Sequence, residues 1–232
     1  MKVLCSIILT IAALAGCAKK HAHHTSMTTS INDTLRTYLA LGDSYTIGES
    51  VPQAESFPYQ LQALLDKENH HFDTPTVIAT TGWTTDELIG AIDQAGLTGK
   101  KYDIVTLLIG VNDQYRGLSQ DNYRTKFKHV LDTAIQFAGG NAKHVFVLSI
   151  PDYGVTPFGK SNEVTIRAQI DQFNAINKSI SNEAGVNYLD ITGISRQAAN
   201  DATLIASDGL HPSGKMYRLW VEGLNSLVAK RF

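Results

Sequence analysis

The chain reads as one three-layer α/β/α sandwich, flavodoxin-like, around a five-stranded parallel sheet. Five apolar runs of strand length alternate with segments whose apolar residues recur at helical spacing. Of the 232 residues, 43% are hydrophobic, enough for one filled core and too few for two. Polar clusters also follow successive runs, at the strand ends where open α/β sheets bind ligands.

In order, the runs are Thr37 to Leu41, Thr76 to Ala79, Ile104 to Ile109, Val145 to Ile150 and Val186 to Leu189. Between the first two, Phe57, Leu61, Leu64 and Leu65 share one helical face. Leu88 and Ile92 do so after the second run, and Phe127, Val130, Leu131, Ala134 and Ile135 after the third. Ile166, Ile170, Phe173 and Ile176 follow the fourth. A closing helix from about Ser213 to Ala229 sets Tyr217, Trp220 and Leu224 on one side. Strands alternating with helices imply right-handed crossovers, hence a parallel sheet covered on both faces. No internal repeat interrupts the pattern.

Twenty basic and 22 acidic residues leave a net charge of -2, so the chain lacks the basic footprint of a nucleic-acid binder and the polybasic face that anionic lipid attracts. Residues 1–16 read as a secretory signal: Lys2 precedes an apolar run too short for the roughly 20 residues of a membrane-spanning helix. The ending Leu14-Ala15-Gly16-Cys17 resembles the bacterial lipobox, after which Cys17 is the lipid-modified N-terminus. Cys5 would leave with the signal, so the mature protein would hold no disulfide. Residues 17–33 are polar and unpatterned, a tether whose His21, His23 and His24 are read as solvated linker. The domain is expected over 34–232, a monomer in the bacterial cell envelope that touches membrane only through the lipid on Cys17. Ala18, in place of an aspartate after that cysteine, favours the outer membrane and its periplasmic side.

The strand ends carry the chemistry. Gly42-Asp43-Ser44 follows the first run, Thr80-Thr81-Gly82-Trp83 the second, Gly110-Val111-Asn112-Asp113 the third, and Asp208-Gly209-Leu210-His211 precedes the closing helix. Serine is a weak nucleophile unless an imidazole takes its proton, and that imidazole needs a carboxylate to fix its tautomer. Asp208 and His211, three residues apart, can supply both from one loop. The backbone N–H groups of Ser44 and Gly82 with the Asn112 amide would serve a developing oxyanion.

Taken jointly and in this order, the four blocks resemble those of the SGNH hydrolases, the GDSL-type esterases and lipases, over about residues 37–222. Tyr45 stands where the family's first block has leucine. The resemblance implies an exported serine esterase with Ser44 as nucleophile, His211 as base, Asp208 as its orienter, and Ser44, Gly82 and Asn112 as oxyanion donors. It implies no cofactor and no metal.

Other readings compete. Residues 154–161, GVTPFGKS, match a phosphate-loop pattern, but Pro157 removes an amide from the cradle, Pro151 and Asp152 separate the loop from its strand, and an export signal leads away from nucleotides. That stretch is expected to wall the cleft instead. Asp43, Asp113, Asp152 and Asp208 leave a metal-dependent hydrolase open, and a noncatalytic sugar-binding lipoprotein is a further class. Within the esterase reading the connections are too short for a lid, so short acyl, acetyl-like esters on a small-molecule or glycan alcohol are expected. Tyr45, Trp83, Tyr115 and Tyr153 would be the flat groups against the sugar. A lysophospholipase or thioesterase of the same fold is the alternative.

Overall fold

In a computed structural model of the chain, the residues described are 35–232. The signal, Cys17, the tether and its histidines lie outside them. Among the described residues, no helix is long and apolar enough to cross a membrane.

Five strands, β1 (Tyr38–Gly42), β2 (Thr76–Ala79), β3 (Ile104–Leu108), β4 (Val145–Leu148) and β5 (Asn187–Leu189), form one sheet in the order β2-β1-β3-β4-β5. Every pairing is parallel, with Gly42 opposite Ala79 on one side and Leu108 on the other. β1, β3 and β4 are buried along their whole length, so they read as continuous apolar runs rather than as alternation. β2 coincides with its apolar run, and the ends of the other four strands differ from theirs by one or two residues. Ile109, Ser149 and Ile150 are buried, yet their backbone has already turned toward the loops.

Among the described residues there are eight α-helices, six between strands and the last two after β5: α1 (Ser44–Ile47), α2 (Phe57–Lys67), α3 (Thr85–Gln94), α4 (Val111–Tyr115), α5 (Gln120–Phe137), α6 (Glu163–Ala184), α7 (Thr192–Ser195) and α8 (Gly214–Val228). α2 packs on α8, while α3, α5 and α6 pack in series, giving the two helical layers. Caps fix where they begin. Thr84 and Glu87 form a reciprocal capping box on α3, and Ser213 accepts from the Met216 N–H to start α8 where the sequence placed it.

The strand order reverses direction between β1 and β3, so the crevice beyond their carboxyl ends is where a ligand site is expected. Ser44 follows β1 there, and Asn112 follows β3.

Candidate active site

Ser44 is the first residue of α1, and Asp43 before it caps that turn by accepting from the Tyr45 N–H at 3.0 Å. Gly42 makes the sharp exit from the sheet possible. A Cβ there would collide with Thr46 Oγ1 and the Leu108 carbonyl, so no larger residue fits between strand and turn. Gly110 meets a similar limit after β3. Its φ is +125°, and a Cβ would run into the ring of Tyr123, whose hydroxyl donates to the Ile109 carbonyl at 3.1 Å.

His211 Nδ1 lies 2.5 Å from Asp208 Oδ2. The other carboxylate oxygen of Asp208 accepts from the backbone N–H groups of Leu210 and His211, each at 3.0 Å. Ser50 Oγ donates to Oδ2 at 2.8 Å. Burial opposes ionisation of Asp208, but the hydrogen bonds from His211, Leu210 and Ser50 outweigh it and hold the carboxyl well below the usual carboxylate range. Under the imidazole sits Tyr45, its ring 5.4 Å from that of His211 and 6.5 Å from Trp220 of α8. Tyr45, 3% exposed, therefore supports the imidazole from beneath the surface as well as bordering the cavity beside it. Ser44 Oγ has no hydrogen-bond partner among the described residues.

The loops after β2 and β3 are tied together. Asn112 Nδ2 donates to the Trp83 carbonyl at 2.9 Å, which commits one of its two amide hydrogens and leaves the other. Arg116 Nη2 donates to the Gly82 carbonyl at 2.6 Å and Nη1 pairs with Glu87 at 3.3 Å. Buried Asp113 accepts from the N–H and hydroxyl of Thr85 at 2.9 and 3.0 Å, joining α4 to the start of α3. Among the described residues, the backbone N–H groups of Ser44 and Gly82 have no acceptor. Two free amides and a pinned carboxamide are donors of the kind that can stabilise a developing negative charge.

Ser44, Asn112 and His211 border one cavity of about 130 Å³. Tyr45 and Tyr153 line its buried part, and Tyr115 and Phe158, 58% and 52% exposed, form its mouth. Phe158 comes from the 154–161 stretch expected to wall the cleft. Trp83 does not border the cavity: it is half-buried against the core and contributes its carbonyl to Asn112. Gly82 also lies outside the lining.

A family model described as GDSL-like lipase/acylhydrolase matches residues 40–219. The chain belongs to that family. Membership makes it a carboxylic ester hydrolase. No curated protein matches the chain. Among solved structures, it is similar to TesA at 16% identity and a TM-score of 0.68, covering 85% of this chain and 100% of that one. It is also similar to the psychrotrophic esterase EstA from Pseudoalteromonas sp., inhibited by monoethylphosphonate, at 19% identity and 0.64, covering 84% and 97%. Axe2, an acetylxylan esterase from Geobacillus stearothermophilus, matches at 17% and 0.63, covering 83% and 94%. At these identities the structural likeness establishes the SGNH fold.

In this GDSL esterase, the backbone of residues 154–161 is committed to its own turns. Gly154 N–H donates to Asp152 Oδ1 at 2.9 Å, Gly159 N–H to the Thr156 carbonyl at 3.1 Å, and Phe158 N–H to the Gly209 carbonyl at 3.1 Å. Lys160 pairs with Glu163 at 2.6 Å. Those amides form no phosphate cradle. The four aspartates of the metal-dependent reading also face different partners: Asp43 caps α1, Asp113 holds Thr85, Asp152 pairs with Arg196 at 2.9 Å and Asp208 holds His211. Among the described residues, no three His, Cys, Asp or Glu gather in a metal-binding group.

Ser50 and Arg116 are the site residues that sequence reasoning did not single out. Ser50 has a φ of +65°, unusual for a serine, and its hydroxyl reaches Asp208 from that backbone. No pattern in the sequence signals that geometry.

Proposed function

We propose that this GDSL esterase hydrolyses short acyl esters, acetyl esters on carbohydrate above all, through an acyl-enzyme on Ser44. In the first step Ser44 Oγ bonds to the ester carbonyl carbon as His211 Nε2 takes the hydroxyl proton. Asp208 keeps the Nδ1 proton on the imidazole and stabilises the imidazolium. The carbonyl oxygen, now negative, takes hydrogen bonds from the Ser44 and Gly82 N–H groups and the free Asn112 amide hydrogen. The carbon–oxygen bond to the alcohol then breaks, and His211 returns its proton to that oxygen. Water, deprotonated by the same imidazole, releases the acid and restores Ser44.

One observation carries this reading: Ser44, Asn112 and the Asp208-paired His211, from three separate segments of the chain, converge on a single cavity. Its size supports a small acyl group, because about 130 Å³ is close to the ~150 Å³ of a cavity that holds one benzene ring. A longer chain would leave methylenes in water and gain none of the ~0.8 kcal/mol that each contributes when buried. The aromatic mouth supports a carbohydrate alcohol, as does the acetylxylan activity named for Axe2. The lipobox supports anchorage by lipid on Cys17 at the periplasmic side of the envelope, so Cys17→Ser should release the protein from membranes.

The test is kcat/KM across acetate, butyrate, octanoate and palmitate esters of one alcohol. The reading predicts a maximum at acetate or butyrate and a loss of activity on Ser44→Ala. A steady rise toward palmitate would replace it with a long-chain acylhydrolase.

A further inference from the structure

The aromatic wall of the catalytic cavity has a second side. A separate cavity of about 450 Å³ shares Tyr115, Tyr153 and Phe158 with the first and is otherwise bordered mainly by amide and hydroxyl side chains. The three rings form a triangle, with centroids 6.2, 6.1 and 6.3 Å apart. Beyond them, Gln114 is 7% exposed and donates Nε2 to Gln169 Oε1 at 2.7 Å, which fixes the plane of the exposed Gln169 amide. Among the described residues, Gln169 Nε2 and the side chains of Asn162 and Thr165 make no hydrogen bond.

We propose that this second cavity is a subsite for a sugar unit adjoining the one that carries the acyl group, so that the preferred substrate is an acylated oligosaccharide. Its chemistry matches a hydroxyl-rich ring. Free amide and hydroxyl groups offer donors and acceptors to neighbouring sugar hydroxyls. The flat faces of Tyr115 and Phe158 offer apolar surface to the C–H face of a pyranose. An acyl chain fits worse, since it would strip water from Asn162, Thr165 and Gln169 and return no hydrogen bond. No charged side chain borders the cavity, so a phosphorylated ligand would find no counter-charge there. That the acyl group takes the smaller cavity and the sugar the larger rests on the proposed chemistry at Ser44. Sugar binding itself does not.

Binding and turnover separate the two claims. Calorimetry on the purified protein with xylotetraose, cellotetraose and chitotetraose reads the subsite without any reaction. At least one should bind, and Gln169→Ala and Asn162→Ala, both exposed positions, should each weaken it about three- to tenfold, the worth of one net hydrogen bond. For an acetylated series of the bound sugar, kcat/KM should rise from the monosaccharide to the trisaccharide and lose that rise in Gln169→Ala. No binding by any of the three sugars, or affinities unmoved by both variants, overturns the proposal. So does a selective loss of octanoate hydrolysis in Gln169→Ala, which would make the cavity an acyl site. If Ser44→Ala still hydrolysed acetate esters, the chemistry would fail while the calorimetry still decided the subsite.

Discussion

Ser50 Oγ donates to Asp208 Oδ2 at 2.8 Å across 158 positions of sequence, onto the same oxygen that holds His211 Nδ1. A serine in left-handed backbone has thus joined the loop after α1 to the Asp208–His211 loop. Two substitutions separate its hydroxyl from its backbone. Ser50→Ala should lower kcat about three- to tenfold with KM unchanged, since one donor to Asp208 is lost and three remain. Ser50→Gly should lose as much activity while exceeding Ser50→Ala in stability, because glycine accepts the φ of +65° without strain. Full activity in both variants would show that Ser50 is a bystander.

Arg116 acts on the loop after β2. It pins the Gly82 carbonyl and thereby the orientation of the peptides around it, while Glu87 pins Arg116. Arg116 is nearly half exposed, so Arg116→Ala should change stability by less than about 1 kcal/mol. Its cost should appear as a roughly tenfold fall in kcat at constant KM, the signature of a disturbed oxyanion site. A change confined to KM would mean that Arg116 contacts substrate instead.

Asp152 is fully buried, pairs with Arg196 at 2.9 Å and with Arg167 at 3.7 Å, and holds the turn that carries Tyr153. Arg196→Met leaves that carboxylate short of its closest partner and should cost about 1–3 kcal/mol, seen as a Tm drop of several degrees. The double variant Arg196→Met/Asp152→Asn should recover much of the loss, because an amide needs no counter-charge and still accepts from Gly154. Thermal melts of the two proteins decide the matter, and a double variant no more stable than the single one would refute it.

Burial pushes the Asp43 carboxyl up to about 8, with Asp113 nearby adding to the shift and the Tyr45 N–H opposing it. An unfolded aspartate titrates near 3.9, so between about pH 4 and 8 the native state binds the proton that the unfolded chain has released. Stability should therefore fall as pH rises through that window. Asp43→Asn removes the titration and should flatten the slope, which denaturant unfolding from pH 5 to 9 would read. Equal slopes in both proteins would show that Asp43 is ionised when folded.

The parts of the fold legible in the sequence are those that a local pattern encodes. β1, β3 and β4 stand out because burial on both faces demands unbroken apolar runs, and Asp208 and His211 because three residues bring both onto one loop. Strand ends were less legible, since they depend on where ladder hydrogen bonds stop, as at Ile109. Tyr45 does border the cavity, but its ring also packs on His211 and Trp220, a supporting contact that no local pattern encodes. Contacts such as Ser50 to Asp208 or Arg116 to Gly82 join exposed loops far apart in sequence, and no periodicity marks them.

The covalent intermediate is the centre of the account, and a fluorescent alkyl fluorophosphonate traps its analogue. Treated with one equivalent, the protein should gain a single adduct that peptide mass spectrometry locates on Ser44. Labelling should stop in Ser44→Ala and slow by orders of magnitude in His211→Ala, which keeps the hydroxyl but lacks the base. An adduct on another residue, or equal labelling in the Ser44→Ala protein, would contradict the assignment of Ser44 as nucleophile.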